Sequence, residues 1–160
     1  MIRRMLLGSI AFSLAIALSL AFIFGYNIVA HRQAVFAQAA WDGNLSLMKV
    51  TLALGAEVDS PGCSYRNCFP PIVGAASGRH KDAVHFLIER GANVNAKMGE
   101  TTALMVASYY GDVEMVRLLI SNGADVNADR DGETALMIAK EKGNTVVVEL
   151  LRQPGGRDAP

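Results

Sequence analysis

Apolar residues follow two different patterns along this chain. From Met5 to Ala30 no residue is charged, and the run Met5–Phe24 offers a helix no polar face. As a helix those 20 residues span about 30 Å, the thickness of a bilayer core. Beyond residue 30 the pattern changes to short runs with helical period. "NLSLMKVTLAL", "KDAVHFLIER", "DVEMVRLLISN" and "TVVVELLRQPGG" alternate with "FAQAAWDGN", "IVGAASGRH", "LMVASYYGD" and "LMIAKEKGN". The segments "GAEVD", "GANVNA" and "GADVNA" start at Gly55, Gly91 and Gly123, spacings of 36 and 32. Self-similarity at such a period marks a stacked-repeat architecture.

Each unit predicts two short antiparallel helices and a loop. Thr102 and Thr134 stand where a hydroxyl would cap the first helix. Leu104, Val106 and Ala107 form its apolar face, and Ala39, Ala75, Ala107 and Ala139 share one slot where helices pack closely. Gly111 and Gly143 break the first helix, and Gly123 ends the second as a left-handed C′ residue. "ADVNADRDGE" is too polar and turn-rich for a helix and predicts a hairpin-like finger.

The N-terminal segment is read as an uncleaved signal anchor. Arg3 and Arg4 favour a cytoplasmic N-terminus; Arg32 and Lys49 weaken that bias without reversing it. The repeats would then be exported, into the periplasm if the source is bacterial. The alternative is a signal peptide cut near Ala30, leaving a secreted or periplasmic protein. Ser9, Ser13, Ala17 and Ala21 recur every fourth residue, a spacing that suits weak self-association of membrane helices. "NIVAHRQAVF" is expected to continue or abut the first repeat helix.

Charge adds little. Fifteen basic residues balance fifteen acidic ones, so no field draws the chain to nucleic acid or acidic substrates.

The repeats resemble the ankyrin family. "ETALMIA" is similar to that family's T-P-L-H-x-A opening, and "YGDVEMVRLLISNGADVNA" to its body and tail. The resemblance implies an all-α solenoid of about four helix-turn-helix repeats with finger loops, preceded here by one transmembrane helix. The repeat domain covers 31–153, with units at about 33–59, 60–96, 97–128 and 129–153; 154–160 is expected to be a disordered tail. In the first unit Phe36 replaces the Leu104 type. Only Pro71 keeps the family's proline; Ala103 and Ala135 stand elsewhere. Val73, Met105 and Met137 occupy the family's histidine position, so the polar bonding it gives between repeats is expected to be lost to apolar packing.

No sequence feature supports catalysis or a cofactor. His80, Asp82 and His85 do not share a helix face and do not make a zinc motif. The resemblance implies instead a non-catalytic scaffold that binds a protein partner. Its outward slots here are Trp41 and Asp42, Ser77 and Gly78, Tyr109 and Tyr110, Glu141 and Lys142. Exposed aromatics suit protein interfaces. Tyr109, Tyr110, Trp41, Asp42 and Glu141 are the expected contacts, extended by the finger residues Met98 and Arg130 and by Tyr65 and Arg66. For Trp41 local packing over the degenerate first unit is the alternative. The runner-up function is a structural or protective subunit that stabilises or neutralises a partner in the exported compartment.

Cys63 and Cys68 bracket the lengthened finger between units one and two. In an oxidising compartment a pair five apart across a loop tip reads as a disulfide. Free thiols or a metal or redox site are the alternatives, and no further metal ligands lie nearby.

Overall fold

The computed structural model describes residues 31–64 and 67–152. The segment 5–24, its small-residue stripe, Tyr65, Arg66 and the tail 154–160 lie outside the described residues. Helix α1 occupies 31–41. α2 (Leu45–Ala53), α3 (Pro71–Ser77), α4 (Lys81–Glu89), α5 (Ala103–Tyr110), α6 (Val113–Ser121), α7 (Ala135–Glu141) and α8 (Thr145–Leu151) follow. Three antiparallel hairpins form the fingers: β1 (Gly62–Ser64) with β2 (Asn67–Phe69), β3 (Lys97–Met98) with β4 (Thr101–Thr102), and β5 (Asp129–Arg130) with β6 (Glu133–Thr134). The all-α expectation therefore holds for the helical stack, while the fingers pair as short strands. Among the described residues no helix is long and apolar enough to cross a membrane.

First helices α3, α5 and α7 stack in one row, and second helices α2, α4, α6 and α8 in another. One continuous core runs between the rows. Ala39, Ala75, Ala107 and Ala139 are all buried, which lets neighbouring first helices approach closely. Phe36 is fully buried in the slot that Leu104 and Leu136 fill, so the altered opening of repeat one still packs. Residues 31–36, the described part of "NIVAHRQAVF", belong to α1.

The helix ends follow from local chemistry. Met105 N–H donates to the Thr102 hydroxyl at 3.3 Å, and Met137 N–H to Thr134 at 3.4 Å. Gly111 ends α5 at φ 68°. Arg79 holds the same turn position in repeat two at φ 61°, a left-handed conformation that disfavours a side chain. After α6, Ala124 N–H reaches back to the Leu119 carbonyl at 3.0 Å around Gly123.

Val73, Met105 and Met137 offer no counterpart to the family histidine's bonding, and other residues make polar bonds between repeats. Asn93 N–H donates to Asp59 Oδ1 at 2.8 Å, and Asp125 N–H to Asn95 Oδ1 at 2.7 Å. Asn95 Nδ2 also donates to the Gly123 carbonyl, and Asn144 Nδ2 to the Ser108 carbonyl at 2.8 Å. Side-chain amides and carboxylates thus bond main-chain groups of the adjacent repeat. Val73 and Met105 are buried, whereas Met137, in the last repeat, is partly exposed.

Two substitutions of opposite sign test this packing. A Cβ on Gly78 would overlap the Trp41 carbonyl oxygen, so Gly78→Ala should cost about 2 kcal/mol despite its helical φ. Ser108 is fully buried and its hydroxyl has no hydrogen-bond partner, while Ala40 and Ala76 fill the equivalent site in repeats one and two. Ser108→Ala should therefore stabilise by about 1 kcal/mol. Urea unfolding of the two variants beside the parent checks both signs.

Candidate functional site

α5 ends on two consecutive tyrosines whose side chains leave the core. Tyr109 is 50% exposed and Tyr110 47%, with ring centroids 5.2 Å apart and planes at 87°. They border a groove of about 340 Å³ between the first helices and the fingers. Met105, Val106 and Ile138 give it apolar walls; Ser77 comes from α3, and Arg130 and Glu133 from the β5–β6 finger. Three successive repeats therefore build one surface.

Charge is arranged in self-neutralising pairs around it. Arg130 pairs with Glu133 across its hairpin, and its Nη1 reaches the Thr101 hydroxyl at 3.4 Å. Lys142 Nζ lies 2.6 Å from Glu141 Oε1. That hydrogen bond holds the Glu141 carboxyl below its ordinary range and the Lys142 ammonium above its own. Each tyrosine also carries a cation: Lys142 Nζ sits 4.8 Å from the Tyr109 centroid, and the Arg79 guanidinium 5.8 Å from that of Tyr110. The arrangement offers π-faces, an apolar floor and charged donors and acceptors at the rim. His80 and His85 do not line it; they lie at the N-terminus and on the exposed side of α4.

A family model described as ankyrin repeats (3 copies) matches residues 36–130 and again 72–159. The chain belongs to the ankyrin-repeat family. It is also similar to "Ankyrin repeat, SAM and basic leucine zipper domain-containing protein 1" of Mus musculus, with 38% identity over 89 residues. That match covers 55% of this chain and 18% of the mouse protein, so the chain spans less than a fifth of that relative. Ankyrin repeats are protein-binding scaffolds.

Within this ankyrin stack the expected contact residues separate into groups. Tyr109, Tyr110, Arg130 and Glu141 meet at the groove. Trp41, Asp42 and Met98 do not line it. Trp41 stays 40% exposed but packs its ring on Phe69 at 5.5 Å, so it covers the finger root as well as facing solvent. Asp42 accepts from Gln38 Nε2 at 3.0 Å, and Met98 is half-buried against the core. Tyr65 and Arg66 lie outside the described residues. Lys142 and Arg79 gain a role that periodicity alone did not assign. The signal for Lys142 was its outward slot beside Glu141; for Arg79 there was none, because its contact with Tyr110 crosses a repeat boundary.

Cys63 and Cys68 face each other across the β1–β2 hairpin and form a disulfide, with Cα atoms 4.0 Å apart. The hairpin root packs on α1: a Cβ on Gly62 would meet Ala37 and the Gln33 carbonyl. Phe69 turns inward and is buried. Replacing both cysteines by serine should cost about 2 kcal/mol by the chain-entropy argument for so short a loop. Calorimetric melting of the double variant and of the parent, each with and without dithiothreitol, measures it; only the parent should respond.

Proposed function

We propose that this ankyrin domain is a protein-binding scaffold held by residues 5–24 on the outer side of a membrane, acting without chemistry of its own. The observation that carries the binding reading is the half-exposed Tyr109–Tyr110 pair above an apolar floor, at a groove shared by three repeats. Rigid aromatics of this kind bury large area at small entropic loss when a partner docks. Arg130, Glu133, Glu141 and Lys142 surround them with donors and acceptors that can exchange their internal pairing for bonds to a partner. By repeat equivalence, Trp41 and Asp42 extend the same outward row into repeat one; Met98, and Tyr65 and Arg66 from the sequence between β1 and β2, are the further contacts of this reading. The location rests on the uncharged run Met5–Phe24 behind Arg3 and Arg4, and the Cys63–Cys68 disulfide suits an oxidising compartment.

The test is affinity capture from detergent-solubilised membranes with the parent and with Tyr109→Ala/Tyr110→Ala. The double variant should lose its captured partner while its melting temperature stays close to the parent's, because both side chains lie largely outside the core. Undiminished capture by a folded double variant places the interface elsewhere. Constitutive, salt-resistant co-purification would favour the structural-subunit reading over a reversible scaffold.

A further inference from the structure

Helix α2 differs from its three counterparts. Leu47, Val50 and Leu54 are spaced three and four residues apart, so they share one face, and they are 38%, 55% and 64% exposed. By repeat equivalence Leu47 corresponds to Ala83, Met115 and Val147, each 1% exposed. Val50 corresponds to Phe86, which is buried, and to Leu118 and Leu150, which are half-buried. Leu47 is therefore bare at a position covered in every repeat that has a predecessor, while Leu54, directly after α2, puts an apolar side chain where Arg90 and Asn122 stand exposed in repeats two and three. Neither an acid nor an amphipathic polar face interrupts the stripe, since α2 reads LSLMKVTLA.

The stripe also sits where the upstream chain arrives. Arg32, in the first described turn of α1, donates from Nη1 to the Leu54 carbonyl at 2.9 Å. Gln33 exchanges bonds with both main-chain groups of Glu57, at 2.8 and 2.9 Å. The end of α2 is thus fastened to the start of α1, directly after the uncharged residues 5–30.

We propose that the Leu47–Val50–Leu54 stripe docks on the lipid interface of the membrane entered by residues 5–24, an inference that rests on the anchor reading above. Apolar side chains with basic neighbours are what a bilayer interface accepts, and Arg32 and Lys49 are those neighbours. A second copy is the poorer occupant: three part-exposed side chains fall short of the roughly 800 Å² per partner that a stable interface buries. Docking would fix the solenoid against the bilayer by its first repeat and leave the tyrosine groove, built by repeats two to four, to face away.

The full chain would be reconstituted into phosphatidylcholine vesicles containing a minority of phosphatidylglycerol, without reductant so that Cys63–Cys68 stays paired. Leu47→Cys, Val50→Cys and Leu54→Cys would each carry a polarity-sensitive fluorophore. Val146→Cys serves as the control, since Val146 is 50% exposed on α8 at the opposite end. The three α2 labels should shift to shorter wavelength, lose quenching by aqueous iodide and gain quenching by spin-labelled lipid; the α8 label should do none of these. Label-free hydrogen exchange should slow in α2 and not in α8. Vesicle flotation with α2 labels still open to iodide overturns the docking and leaves the anchor intact. Failure to float overturns the anchor and the docking with it. Labels shielded from iodide and lipid alike, with Val50→Cys crosslinking to itself, would assign the stripe to a second copy and also overturn the proposal.

Discussion

Every repeat depends on its neighbour to cover an apolar face that the repeat cannot cover alone. Two helices of seven to eleven described residues enclose too little volume for a core, so burial happens between units. The four alanines at 39, 75, 107 and 139 set how closely the first helices approach. Large side chains then fill the remaining space: Ile72, Leu87, Leu104, Met115, Leu119 and Leu136 are all essentially inaccessible. Each such side chain contributes about 1.5–3 kcal/mol against an exposed reference. Bulk at an alanine slot would separate two units and weaken both.

Apolar burial fixes the spacing but not the register of one unit on the next. Register comes from directional bonds. Asp59 and Asn95 each hold a main-chain N–H of the following repeat, and Asn144 reaches the carbonyls that end α5. This last contact also shapes the groove. Asn144 bonds the Ser108 and Tyr109 carbonyls, so repeat four positions the end of the helix that displays the tyrosines. The β5–β6 finger brings Arg130 and Glu133 to the same place from the side. The groove is therefore a product of the stack, and one isolated repeat would not form it.

That distinction explains what the sequence discloses. Thr102, Thr134, Gly111, Gly123 and Gly143 act on main-chain groups within a few residues, so their roles follow from position in the repeat. The hairpins were legible because "DRDGE" and its counterparts carry turn residues at the right offset. The Cys63–Cys68 pairing was legible for the same local reason. Contacts between repeats were not. Arg79 over Tyr110 and Asn144 under Tyr109 join residues more than thirty apart, whose distance depends on the stagger of whole units. The packing of Phe69 on Trp41 was likewise hidden, because alternation in a three-residue strand cannot tell the Trp41 side from solvent. The Asp59 and Asn95 bonds exist only once the loops of adjacent repeats are side by side, so position within one repeat does not disclose them.

A stack held together by neighbours has two ends that lack one, and this chain treats them differently. The last repeat places Lys140, Glu141, Lys142, Glu149 and Arg152 on its exposed surface, and Val146 stands among polar residues. Such a surface meets water without help, and solenoids require that of their closing units. At the other end Leu47, Val50 and Leu54 leave an apolar surface, with Lys49 the only charge within α2. The difference is not in fold, since α1 and α2 pack as their counterparts do and Phe36 and Met48 are fully buried. It lies in what the outer face expects to meet. Three large apolar side chains on one helix face are unlike the single exposed hydrophobics of an ordinary surface, which need no explanation. The polarity of the two ends therefore gives the solenoid a direction: one end is finished for solvent, and the other, next to the uncharged N-terminal segment, is finished for contact.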